Sequence, residues 1–244
     1  MTYPKIITPY TPTLVIGADA ETKSLRPDAY LLSAGLVAFD VPTLKMVGSS
    51  YIRIDPNDPK AKAIFHEDPQ TVGWWEGKGE PEYAPSREAY EEAWGGTTAL
   101  PDALWAMQKW LGEITAKHEF VITMRGPDFD APVFMNAFAQ CDIPPGKFRK
   151  FSALDSDRTA ERLAFAFGFE PDLTVEQVYW TRGKPAFEHH AMWDAAKEAY
   201  TTARIYHLAL VTRQYGFERA KACHEELKTG EYVAPQIRDQ LTRD

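Results

Sequence analysis

The stretch LVIGADAET, residues 14–22, runs from an apolar segment into two carboxylates set two residues apart, Asp19 and Glu21. A short apolar run of this kind is expected to become a buried strand. Side chains alternate along a strand, so Val15, Gly17, Asp19 and Glu21 share one face, the two acids with Cα atoms roughly 6.5 Å apart. Two like charges this close in a poorly solvated place repel, and one tends to take up a proton. A divalent cation removes the conflict. The alternative is that the strand ends at Gly17 and both acids face water.

Outward from this stretch, LLSAGLVAF (31–39) and MVGSSYIRI (46–54) read as two more strands, joined through the turn-prone DVPTL as a hairpin. Three strands in succession predict a meander. Residues 55–100 are turn-rich, with one short helix expected inside FHEDPQTVGWWEG. ALPDALWAMQKWLGEI (99–114) places Leu100, Leu104, Met107 and Leu111 at the spacing of an amphipathic helix. EFVITM (119–124) reads as a fourth strand, the segment after Pro132 as a helix, and FRKFSAL (148–154) as a fifth strand. A further helix ends near Gly168. The last begins near His190, with Ala191, Ala195, Ala199, Ala203, Tyr206 and Leu210 as its packed stripe. Three strands followed by alternating strands and helices predict one mixed five-stranded sheet covered by helices, an α/β domain. It would occupy residues 14–216, between an extended N-terminal arm (1–13) and a C-terminal helical extension or tail (217–244).

The 244 residues are 44% apolar, enough for a sizeable core, so a disordered chain is excluded. A net charge of −8 argues against a protein that coats nucleic acid by bulk electrostatics, but not against one that grips the end of a strand. The apolar runs are too short to span a bilayer. The first residues lack the layout of a signal peptide. Two cysteines without CxxC spacing fit a reducing compartment, so a cytoplasmic location is expected, that of the host if the gene is carried by a phage.

Two further segments carry candidate chemistry. In MRGPDFDAPVFMNAF (124–138) Asp128 and Asp130 both precede a helix, where an aspartate also serves as an ordinary N-cap. In EHHAMWDAAKEAY (188–200) two of the six histidines stand just before a helix whose opening turns hold Asp194. A histidine there can move protons near neutral pH, while the helix dipole alone favours an aspartate at that position.

Taken in order, Asp-x-Glu on the first strand, an Asp opening a helix past the middle, and His-x4-Asp near the end resemble the DEDDh 3′→5′ exonucleases, which have a ribonuclease H-like fold. The offset of five selects His189 over His190, and the Phe-Asp pair at 129–130 selects Asp130 over Asp128. TVGWWEG (71–77), RGPDFD (125–130) and DSDRT (155–159) narrow the resemblance to phage DexA-type exodeoxyribonucleases and bacterial RNase AS-type exoribonucleases, over residues 14–213. ETKS at 21–24 departs from the more usual Glu-Thr-x-Gly. The resemblance implies a two-metal phosphodiesterase that releases 5′-mononucleotides from the 3′ end of single-stranded DNA or RNA. Asp19, Glu21, Asp130 and Asp194 would hold two Mg²⁺ or Mn²⁺ ions, with His189 as general base. Thr22 would meet the terminal nucleotide through its backbone, Phe129 or Trp75 would stack on a base, and Arg125, Arg158 and the basic run KFRK (147–150) would meet phosphates. Core packing competes for both aromatics, more so for Trp74 than for Trp75.

Two other readings stand beside this one. One is a hydrolase of small nucleotides or dinucleotides. The other is a catalytically silent module binding nucleic acid or a partner on the same fold. The oligomeric state is open, a homodimer included.

Overall fold

The computed structural model describes residues 12–78, 85–149, 154–169 and 189–229. Strands β1 (Leu14–Thr22), β2 (Leu31–Asp40), β3 (Lys45–Arg53), β4 (Phe120–Met124) and β5 (Leu154–Ser156) form one sheet in the order β3-β2-β1-β4-β5. β1 pairs antiparallel with β2 and parallel with β4, so it lies at the centre of the sheet. It does not stop at Gly17. Its pairing with β2 continues through Glu21, which opposes Ser33, and this carries both acids into the sheet.

The alternation of β1 separates two cores. Leu14, Ile16, Ala18 and Ala20 face helices α4 (Leu100–Ile114) and α5 (Asp130–Gln140). Val15 faces helix α7 (Ala191–Tyr215) together with Val37, Phe39 and Val121. Asp19 and Glu21 have the same parity as Val15, so they point to the α7 side. The alanine stripe of α7 packs there through Ala195, Ala199 and Ala203. The helix lies unusually close, because a Cβ at Gly17 would collide with the Ala195 carbonyl and a Cβ at Gly35 with the backbone of Ala191 and Met192. Two buried hydrogen bonds fix it further: Thr123 Oγ1 lies 2.9 Å from Thr202 Oγ1, and His207 Nδ1 lies 2.8 Å from the Val41 carbonyl oxygen.

The turn-rich segments hold more helix than expected. Asp58 caps α1 (Pro59–Ile64) by accepting from the Lys60 N–H, and Asp68 caps α2 (Pro69–Trp75) by accepting from the Thr71 N–H. Ser86 caps α3 (Arg87–Trp94) by accepting from the Ala89 N–H. Each cap satisfies an N–H that the first turn would otherwise leave unpaired.

The strand expected at 148–154 is corrected. Gly146–Arg149 is a 3-10 turn, anchored by Phe148 against Phe134 and Phe138; β5 is Leu154–Ser156, and residues 150–153 lie outside the described residues. Helix α6 (Asp157–Ala166) follows β5 and ends before Gly168, which has a positive φ. Beyond residue 216 the chain forms α8 (Phe217–Thr229), whose Ala220, Cys223 and Leu227 pack with Leu208 and Val211 of α7. The N-terminal arm falls almost wholly outside the described residues, as does the chain after 229. Among the described residues no helix is long and apolar enough to cross a membrane.

Candidate active site

The end of β1 and the start of α7 bring three carboxylates together. One oxygen each from Asp19, Glu21 and Asp194 lie within 4.8 Å of one another. β1 supplies two because its period is 2. α7 supplies the third because the two glycines let it rest on the sheet. Burial pushes the pKa of all three upward, and their mutual repulsion adds to this at Asp19 and Glu21.

Asp130 approaches from the other side. It is the first residue of α5, and Phe129 at the cap position makes no side-chain capping bond. Asp130 is 5% exposed, whereas Asp128 is exposed. β1 runs on beyond its last partner in β4, and the Ala20 backbone there favours the ionised Asp130 carboxylate. Burial still raises its pKa to about 7. Asp130 stands outside the tight trio, yet its charge acts on both Asp19 and Glu21.

His189 precedes α7 with a φ of 62°, in the left-handed region that a non-glycine residue seldom occupies. Its backbone N–H donates to Asp194 Oδ2 at 2.9 Å. This bond ties the histidine's position to a carboxylate of the trio. The His189 ring stands edge-on to Trp74, with centroids 4.8 Å apart. His190 points elsewhere and stacks on Tyr51 at 4.5 Å.

The other expected contacts divide. Trp75 is 3% exposed, and its indole N–H donates to the Thr22 carbonyl at 2.9 Å. It pins α2 to the end of β1, with no open face for a base. The more accessible member of the pair is Trp74, so the packing ranks of the two are the reverse of the sequence expectation. Helical geometry explains the miss: adjacent residues differ by about 100° in direction, and residue type alone does not say which turns inward. Thr22 is buried, with its hydroxyl donating to the Ser24 carbonyl. Phe129 is half-buried against the α4–α5 core. Arg125 is half-exposed beside the site and bonds Asp157 at 3.1 Å. Arg158 is exposed on the first turn of α6. Lys147 donates to the hydroxyl and carbonyl of Thr115, a structural role.

One residue near the trio was not anticipated. Glu198 lies on α7 one turn after Asp194 and is 1% exposed. Burial raises its pKa, and Asp157, Asp130 and Asp194 raise it further. The available signal was its i+4 spacing from Asp194, which puts both acids on one helix face.

One mixed five-stranded sheet with carboxylates brought together from β1 and α7, and the family match that follows, make the chain a 3′–5′ exonuclease. The chain belongs to the family of 3′–5′ exoribonuclease Rv2179c-like domains, whose model matches residues 15–206. Among solved structures, the nuclease domain of 3′hExo, a DEDDh family member bound to rAMP, is similar at 11% identity and a TM-score of 0.52. The match covers 86% of this chain and 96% of that one. E. coli Exonuclease I in complex with a dT13 oligonucleotide matches at 15% identity and a TM-score of 0.46. There the match covers 87% of this chain but 44% of that one. A search of curated protein sequences returned no match.

Proposed function

We propose that this exonuclease depends on divalent metal, acts on single-stranded nucleic acid and releases 5′-mononucleotides from the 3′ end. The observation that carries the reading is the trio of Asp19, Glu21 and Asp194, with His189 tied to Asp194. The donor set fits hard cations such as Mg²⁺ or Mn²⁺: it consists of oxygen, it is crowded, and burial disfavours its charge unless a cation compensates. Asp19, Glu21, Asp194 and Asp130 would hold two such ions. When bound, these ions polarise the phosphate and make water more acidic.

The chain's own groups do the rest. His189 accepts the proton of the attacking water, and its left-handed backbone, held by Asp194, sets where the imidazole stands. Trp74, beside that imidazole, offers a surface on which the terminal base stacks, worth about 1–3 kcal/mol. Arg125 places a guanidinium within reach of the substrate backbone. The family description favours RNA over DNA, and the 3′hExo domain bound to a ribonucleotide agrees with that choice.

A labelled single-stranded oligonucleotide, offered as RNA and as DNA with Mn²⁺, Mg²⁺ or chelator, tests the proposal. Stepwise loss of mononucleotides from the 3′ end, abolished by chelator and blocked by a 3′-phosphate, is the expected result. Full activity in excess chelator, nicking of circular single strands, or cleavage of dinucleotides alone would each overturn it.

A further inference from the structure

The proposed cation site leaves one buried acid unexplained. Glu198 has 1% of its surface exposed. Its Oε2 is buried with no hydrogen-bond partner, one turn after Asp194 on the same face of α7. One carboxylate oxygen therefore meets nothing that donates. Its surroundings are anionic. Asp157, Asp130 and Asp194 act on it, and Asp19 also feels its charge. Asp157 is already bound to Arg125 through Oδ2. An isolated buried carboxylate is costly to maintain unless it meets a cation or a donor. Arg125, for its part, turns its guanidinium to Asp157.

We propose that Glu198 is a fifth oxygen donor to the divalent-cation centre, reaching an ion directly or through one of its waters. This rests on the metal-dependent reading above. It differs from the set Asp19, Glu21, Asp130 and Asp194 in adding a carboxylate from the second turn of α7. Asp194 and Glu198, one turn apart on one face, thus approach the centre from a single rigid helix.

The test reads metal binding, not turnover. Mn²⁺ is titrated into the chelator-stripped chain by calorimetry, and free Mn²⁺ is followed by its paramagnetic signal. Wild type is compared with Glu198→Gln, which keeps size and hydrogen-bonding capacity but removes the charge, and with the exposed Asp128→Asn as control. The expected result is a Mn²⁺ affinity lowered by about 10- to 100-fold, or one binding event lost, in Glu198→Gln alone. The metal-free melting temperature of that variant should be equal to or above wild type, because Gln fills the same space. A Mn²⁺ isotherm unchanged within a factor of two overturns the inference and leaves the metal-dependent reading intact. That outcome would make Glu198 a protonated structural group, which Gln replaces. No Mn²⁺ binding by wild type would overturn both.

Discussion

Glu21 and Lys23 stand two residues apart, both buried, and the protein treats their charges in opposite ways. Lys23 is 1% exposed, and its ammonium donates to the Pro56 carbonyl at 2.6 Å and to Glu67 at 2.8 Å. It also lies 4.1 Å from the Tyr30 ring centroid and 4.9 Å from that of Trp94. Burial lowers its pKa, and the Glu67 hydrogen bond opposes the shift. Glu21 has no such counter-charge: burial, Asp194 and Asp130 all push its pKa up. A buried charge with its own counter-charge holds the fold together. A buried charge without one awaits a ligand. The Lys23 carbonyl also accepts from the Asp68 N–H, joining the end of β1 to the cap of α2.

The contrast can be broken most severely on the acidic side. Asp130→Asn should reduce turnover to background while the fold persists, and Asp128→Asn should change it little. Paired oligonucleotide assays and melting curves check this, and a reversed ranking would exchange the roles of the two residues. Next in size, His189→Ala should slow single turnover by about 10²–10⁴-fold, leaving Mn²⁺ binding in place. His190→Ala should keep the rate, because that ring is committed to Tyr51.

On the provided-for side, Lys23→Met should cost about 1–3 kcal/mol of stability, read in denaturant, by stranding the Pro56 carbonyl and part of Glu67. Its Mn²⁺ affinity should stay near wild type. If affinity collapses while stability holds, Lys23 belongs to the site and the contrast fails.

The smallest effect sharpens the comparison through pH. Asp130 binds its proton more tightly folded, near pH 7, than an unfolded aspartate does, near 3.8. Between those values the folded chain holds more protons, so rising pH favours unfolding. The stability this group contributes is full below about pH 4 and is lost as pH rises through 7. Melting temperatures in chelator should fall modestly across that window, and saturating Mn²⁺ should flatten the fall.

The carboxylates were the most legible part of the sequence, because period 2 along β1 is a local rule and the family resemblance supplied the five-residue offset into α7. Asp128 and Asp130 both looked like caps, and burial, which divides them, depends on where β4 stops pairing with β1. Trp74 and Trp75 were ranked in the wrong order, since their exposure depends on how α2 rolls against Thr22. Glu198 was missed because a glutamate on a helix beside an alanine stripe reads as solvated. Only the closeness of α7 to the sheet turns it inward. The short helices at 59–64 and 87–94 were hidden by Pro, Gly and Asp, residues that signal turns and helix starts equally.

That closeness has a consequence for anyone scanning the chain by mutation. In most layered proteins a helix floats on a cushion of side chains, whose rotamers absorb small errors. At Gly17 and Gly35 there is no cushion: backbone rests on backbone, and any added atom lifts α7 and the acids it carries. A saturation screen scored on activity would mark these two glycines as being as intolerant as the carboxylates themselves, although neither has a side chain with which to touch the substrate.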